Sequence, residues 1–509
     1  MLLSGNPGRS SRKMKVMAVC MQGVCLLALT SCMVGPDHHR PSTSVPAVWD
    51  NQLVAAPAPS SITTSQSVEL VEWWKSFDDP VLASLIERAF MSNLDLRQAQ
   101  ARIRQARAAR GVTAAGLWPQ IDSSASYRNS FSGGTSIGSA SSTGSSGAGD
   151  SPGATVSSGG GGSSSRDLYQ MGLDASWELD LFGGVRRNIE ASEADIDAAV
   201  EDRRDVLVSL AGEVGANYIN LRGFQQQIEI AGKNLEAQKH TAEITRKRYE
   251  AGFVGGLDTA NARAQVAATQ SQIPVLESSA KAAIYSLSLL LGQQPAVLDR
   301  ELSGDKPIPT TPPEVPVGLP SDLIRRRPDI RRSEAQLHAA TARIGVATAD
   351  LFPKFSLTGS FGLQGREVSA LGSLSNRFWS LGPTVSWPVL DAGRIRWSIE
   401  VQNALQEQAL LTYEQTILTA LKDVETALVA YAKEQEHWQY LSEEVAENRK
   451  AVELSMELYV AGRTDFLNVL TAQRSLYVSE DALVQSTRGL ATNLVALYKA
   501  LGGGWENQP

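Results

Sequence analysis

The sequence predicts a mainly α-helical protein with a transmembrane β part: long coiled-coil helical hairpins in two pseudo-repeats, plus four β-strands. Three observations predict it. First, the chain is duplicated: residues 177–292 superpose on 387–502 at a constant shift of 210. That shift puts Trp177 on Trp387, Val214 on Val424, Tyr249 on Tyr459, Gly252 on Gly462, Leu257 on Leu467 and Gly292 on Gly502. Upstream the shift is 234, with Asp95 on Asp329, Arg97 on Arg331 and Trp118-Pro119 on Phe352-Pro353. A Ser/Gly-rich insertion at residues 130–165 accounts for the difference. An internal repeat of this kind points to a pseudo-symmetric architecture. Second, four stretches alternate apolar and polar residues with period two. Third, long proline-free stretches keep apolar residues at heptad spacing.

The N-terminus reads as an export signal. Arg9, Arg12, Lys13 and Lys15 precede an apolar run at residues 16–29, too short to favour a spanning helix. Met14 is an equally good start. Leu29-Thr30-Ser31-Cys32 follows at once and resembles the bacterial lipobox, in which the cysteine becomes the lipidated N-terminus. The lipid expected on Cys32 is a diacylglycerol on sulfur plus an N-acyl chain, and several acyl chains hold a protein stably on a membrane. Met33 follows in place of the Asp that resembles an inner-membrane retention signal, which favours the outer membrane of a Gram-negative cell. Cys20 and Cys25 fall in the discarded peptide, so no disulfide or zinc cluster remains.

Strands are predicted at residues 119–131, 168–181, 354–364 and 379–390. In the second, Tyr169, Met171, Leu173, Ala175, Trp177, Leu179 and Leu181 face one way; Gln170, Asp174, Ser176, Glu178 and Asp180 face the other. Apolar-outward, polar-inward alternation over about ten residues is the mark of a transmembrane strand. A soluble sheet with one wet face alternates too. Here, however, the strands come as pairs between very long helical stretches, with Trp118, Trp177, Trp379 and Trp387 near their ends. Four strands leave open edges that lipid cannot satisfy. Closed barrels start at about eight strands, so copies of the chain must share one.

Helices are expected at residues 80–117, 184–251, 257–291, 328–351 and 466–501. In the first long one Leu207, Leu210, Val214, Asn217, Leu221, Phe224, Ile228, Ala231 and Leu235 form the seam. Ile417, Ala420, Val424, Ala427, Tyr431, Glu434, Trp438, Leu441 and Val445 repeat it. Such a helix is roughly 100 Å long at 1.5 Å per residue. Each ends in a Tyr-x-Ala-Gly turn, at Gly252 and at Gly462. Five arginines at 97–110 and five at 325–332 read as solvated helix faces, not a nucleic-acid site.

The net charge of −7 also argues against nucleic acid as a partner. No catalytic constellation stands out: the five histidines are scattered, and no Walker loop or nucleophile elbow is present. The sequence is therefore read as a non-enzyme. The domain reading is a signal peptide at 1–31, an anchored segment at 32–79, the first repeat at 80–300, a Pro-rich linker at 301–321, the second repeat at 322–503 and a tail at 504–509. The Ser/Gly stretch reads as an extended loop outside the cell.

The lipobox, strand pairs, doubled hairpins and two Tyr-x-Ala-Gly tips together resemble the TolC-like outer-membrane factor family, in its lipoprotein branch of efflux channels. Val34-Gly35-Pro36-Asp37, Trp73-Trp74, Arg326-Arg327-Pro328-Asp329-Ile330-Arg331 and Asn468-Val469-Leu470-Thr471-Ala472-Gln473-Arg474 resemble recurring segments of that branch. The resemblance implies a homotrimer with a 12-stranded β-barrel in the outer membrane and a periplasmic α-helical tunnel. It implies a passive, gated exit duct docked to a periplasmic adaptor and an inner-membrane pump of RND or MFS type, extruding toxic small molecules. Leu467 matches an apolar ring of the periplasmic gate, Thr471 the next inward position, and Arg474 a basic residue that ties the closed hairpins. Where relatives often carry Asp this chain has Thr471, so one ring of negative charge is missing. Asp258, equivalent to Asn468, is a further gate position. Gly252, Phe253, Gly462 and Arg463 are the expected adaptor-docking tips. The competing readings are a periplasmic adaptor and a structural coiled-coil surface lipoprotein with no channel.

Overall fold

The structure is a computed structural model describing residues 33–50, 62–64, 70–132, 164–304, 306–312 and 314–506. Cys32 and most of the Ser/Gly stretch lie outside the described residues. In chain order the elements are β1 (Ile62–Thr64), α1 (Pro80–Ser92), α2 (Leu94–Ala115), β2 (Gln120–Ser132), β3 (Ser164–Leu179), α3 (Gly184–Glu250), α4 (Gly256–Leu290), α5 (Asp299–Leu302), β4 (Glu314–Pro316), α6 (Pro320–Arg326), α7 (Pro328–Ala349), β5 (Lys354–Gly365), β6 (Arg377–Ser386), α8 (Arg394–Val460) and α9 (Phe466–Ala500). The described residues form two compact units: 33–36 with 110–132, 164–190 and 342–402, and the remainder. The units cut across the repeats, because both repeats give strands to one sheet and helices to one core.

The first unit is built on a four-stranded antiparallel sheet in the order β2-β3-β5-β6. Its register puts apolar residues in rows: Ile121, Ala175, Gly359 and Leu381 share one row, and Leu173, Phe361 and Trp379 another. Asp122, Asp174, Ser360 and Ser380 share a row on the opposite face. The apolar face is bare: Trp379 is 72% and Leu381 69% exposed. A contiguous apolar sheet face fits lipid, not water. β2 and β6 are the borders, each paired on one side. Pro383, with no N–H to donate, sits in the border strand β6, where such a residue is tolerated.

Strand ends shift by a few residues from the sequence reading. β3 starts earlier, at Ser164, while Leu181, Trp387 and Val389 fall outside strands. Trp387 is instead part of a corner repeated twice. Its indole N–H donates to the Leu351 carbonyl at 3.0 Å, and that of Trp177 donates to Leu117 at 2.9 Å. The polypeptide then turns through Gly183 (φ 80°) or Gly393 (φ 83°), positions 210 apart that favour a residue without Cβ. Asp180 accepts from the backbone N–H of Val185 and Arg186, and Asp391 from Gly393 and Ile395. Both long helices therefore begin on an aspartate that satisfies orphan N–H groups.

In the second unit α3 and α8 bury their heptad positions with α9: Leu207, Leu210, Val214 and Leu221, with Ile417, Val424 and Tyr431, meet Leu494, Val495 and Leu497. The two seam positions with polar side chains, Asn217 and Glu434, are less buried than most of the seam, as are Phe224, Ile228 and Trp438. Asn217 is only half-buried, and its neighbour Tyr218 is fully buried, donating to Asp79 at 2.6 Å. Burial and that acceptor push the Tyr218 phenol well above its usual range. Glu434 is half-buried and accepts from Ser486.

The helix expected at 80–117 is broken. Asn93, itself buried, stops α1 and caps α2: its Oδ1 accepts from Leu96 N–H at 2.9 Å and its Nδ2 donates to Leu290 O at 2.9 Å. A short parallel pairing of β1 with β4, unmarked by any alternation, joins the N-terminal segment to the stretch between the repeats. The second arginine run is not a solvated face. Arg327 pairs with Asp329 at 2.6 Å, Arg331 with Glu201 at 2.8 Å, and Arg332 with Asp202 and Asp205 at 2.9 and 3.0 Å.

Candidate channel constriction and anchor seat

Each hairpin turns on the same hydrogen bonds, displaced by 210. Gly252 N–H donates to Tyr249 O and Phe253 N–H to Arg248 O; Gly462 N–H donates to Tyr459 O and Arg463 N–H to Leu458 O. Gly252 (φ 76°) and Gly462 (φ 73°) supply the left-handed residue this closure favours. Phe253 and Arg463 project from the turns, exposed.

Beyond the second turn, α9 is two-faced. Phe466, Val469 and Leu470 pack with Tyr459 and Ala262 in a small core of their own, and Gln473 donates to Thr241 Oγ1 at 2.8 Å. On another face Leu467 (64% exposed), Thr471 and Arg474 stand out together, as spacings of four and three residues require. The Thr471 hydroxyl donates to Leu467 O at 2.8 Å, which leaves no charge at that level. Asp258 is half-buried in the first turn of α4. Among the described residues no hydrogen bond or ion pair joins it to the three on α9.

The two tips are not equivalent. Tyr459 is buried (1% exposed), its hydroxyl 3.5 Å from Thr245 Oγ1, whereas Tyr249 is 50% exposed. Of the two tyrosines, only Tyr459 packs into the end of its hairpin. Arg248 makes the difference, reaching the backbone at the end of α8. Sequence reasoning passed over it; the signal was the mismatch of Arg248 with Leu458 in an otherwise faithful repeat.

The residues after Cys32 occupy a seat in the sheet unit. Val34 N–H donates to Phe182 O at 3.2 Å. The buried guanidinium of Arg187 donates to Val34 O at 3.1 Å and Gly35 O at 3.3 Å. Gly35 (φ 94°) lies so close to Gly345 that a Cβ on it would fall 2.4 Å from the Gly345 Cα. This crossing gives a physical reason for the Val34-Gly35-Pro36-Asp37 segment.

The fold agrees with known proteins. The model of the family described as outer membrane efflux protein matches residues 85–293 and 319–503. The pyoverdine export outer membrane protein OpmQ of Pseudomonas aeruginosa is 33% identical over 476 residues, covering 91% of this chain and 94% of that protein. Nodulation protein T of Rhizobium leguminosarum bv. trifolii is 30% identical over 486 residues, covering 94% and 96%. The solved structure of the outer-membrane channel OprN is 38% identical with a TM-score of 0.80, covering 93% of this chain and 100% of that one. A two-part family match over both repeats, joined to a sheet with an apolar outer face, places this chain in the outer membrane efflux protein family, as an outer-membrane efflux channel of a Gram-negative bacterium.

Proposed function

We propose that three copies of the chain close one 12-stranded barrel and one helical tunnel, forming the passive outer duct of a tripartite efflux system. The observation that carries this reading is the sheet: four strands with segregated faces and two unpaired borders. Each border needs a partner in lipid, and a second and third copy supply it. Leu467, Thr471 and Arg474, with Asp258, line the periplasmic constriction. The turns at Gly252-Phe253 and Gly462-Arg463 meet a periplasmic adaptor, and an inner-membrane pump of RND or MFS type supplies the energy. Cys32 carries the diacylglycerol and N-acyl lipid, with residues 34–36 seated beside it. The chain itself performs no covalent chemistry on its cargo.

The test is heat-sensitive trimer migration in detergent together with single-channel conductance in planar bilayers. A monomer that is soluble without detergent and conducts nothing overturns the reading. Labelled palmitate should enter the full chain and not its Cys32→Ala variant; equal labelling places the lipid elsewhere.

A further inference from the structure

The exposed stripe that carries Leu467, Thr471 and Arg474 continues along α9 to Val478, 65% exposed. Steps of four, three and four residues keep these positions at one azimuth. From Leu467 to Val478 the stripe holds one charge, the guanidinium of Arg474. Among the described residues Arg474 makes no ion pair or side-chain hydrogen bond.

Carboxylates further along α9 are already engaged. Asp481 accepts from Gln227 and Gln485, both at 2.6 Å, and Glu480 from Asn234 and Arg449 at 3.0 and 2.8 Å. Thr471 stands three residues before Arg474, the spacing from which a carboxylate would reach it on a helix surface. Its hydroxyl is instead turned to its own backbone. The equivalent stripe of α4, displaced by 210, reads Leu257, Asn261, Ala264 and Ala268, with no charge. On α4 the charges beside its stripe are Asp258 and Arg263, and the second turn adds Arg463 and Asp465; Glu250, at the first turn, is paired with Arg246 at 2.9 Å.

We propose that Arg474 makes the constriction anion-preferring, and that the cargo class of this channel is organic anions, small molecules bearing carboxylate or sulfonate groups. The proposal rests on the reading of this stripe as the constriction lining of a trimer. Threefold symmetry turns Arg474 into three positive charges around a narrow aqueous gap. Low-dielectric walls focus such a field, and rings of Arg or Lys are the chemistry by which pores admit anions. An anionic cargo exchanges part of its hydration for charge-assisted hydrogen bonds to guanidinium; a cationic one meets repulsion.

The experiment records single channels of the full-length protein in planar bilayers under a KCl gradient. The reversal potential should lie on the chloride side. Arg474→Gln should lower the chloride-to-potassium permeability ratio by about threefold or more. Thr471→Asp, which keeps the arginine and offers it a partner, should lower the ratio as well. Both positions are exposed, and a retained trimer band shows that each variant folds. A conducting wild type that prefers potassium, or a ratio unmoved in both variants, overturns the anion preference and leaves the channel standing. A wild type with no conductance overturns the channel reading itself.

Discussion

Arg248 donates to the carbonyl oxygen of Tyr459 and lies over the ring of the same residue, its guanidinium carbon 4.5 Å from the centroid. One side chain from the first hairpin therefore holds the end of α8, where carbonyls lack helical partners and carry the negative end of the helix dipole. Because α8 leads directly into the turn before Leu467, this grip fixes the start of the stripe of Leu467, Thr471 and Arg474.

Replacing Arg248 with Ser removes the hydrogen bond and the cation–π contact, together about 1–3 kcal/mol. The second hairpin should loosen, with single-channel conductance rising and the Gly462 turn becoming more open to protease. Conductance equal to wild type would show that the grip does not restrain the opening.

The Gly35–Gly345 crossing leaves no room for a side chain. A Cβ on Gly345 would fall 2.9 Å from Val34 O and 2.8 Å from Arg187 Cγ. Gly345→Val should therefore unseat residues 33–36 and destabilise the fold by about 1–3 kcal/mol, the usual cost of overpacking. Amide exchange at Val34 should quicken; unchanged protection would count against the seat.

Glu201 is buried between Arg204 at 2.5 Å and Arg331 at 2.8 Å, and both arginines face the Trp505 ring at 4.5 and 5.4 Å. Burial outweighs the two arginines and pushes its carboxyl above the ordinary value. A carboxyl raised on folding contributes most below its unfolded pKa, and that contribution is lost as pH rises through the folded value. Glu201→Gln cannot ionise and escapes this loss. The melting temperature of the variant minus that of wild type should thus increase from about pH 4 to about pH 7.5. A difference that stays flat or declines, measured by thermal melts in detergent, would contradict the sign.

Trp177 and Trp387 make matching indole hydrogen bonds, but Trp177 is the more buried of the two. Trp177→Phe should cost about 1 kcal/mol and Trp387→Phe less, since water can replace the bond at an exposed carbonyl. The temperature at which trimers dissociate on a gel should follow that order, and the reverse order would be inconsistent with the burial difference.

Much of the fold was legible because period-two and heptad patterns are long here, and because the chain states them twice. Strand partners were not, since alternation says which face a residue takes and nothing of its neighbour. The break at Asn93 was hidden because its cause is tertiary: a side chain reaching Leu290. Arg331 and Arg332 looked solvated because their acids, Glu201, Asp202 and Asp205, lie over a hundred residues away. At the tips the repeat located Leu467 and Gly462, yet repetition hides what differs between copies, and Arg248 is such a difference.

The borders of the sheet are unequal, thirteen residues in β2 and ten in β6. A ladder between neighbouring molecules is no longer than its shorter rail. With 3.4 Å per residue, a joint between β2 of one copy and β6 of the next would leave about 10 Å of β2 standing proud, still paired with β3 of its own chain. In the trimer proposed above, the cylinder would end in teeth instead of a level lip, one tooth for every molecule that joins it.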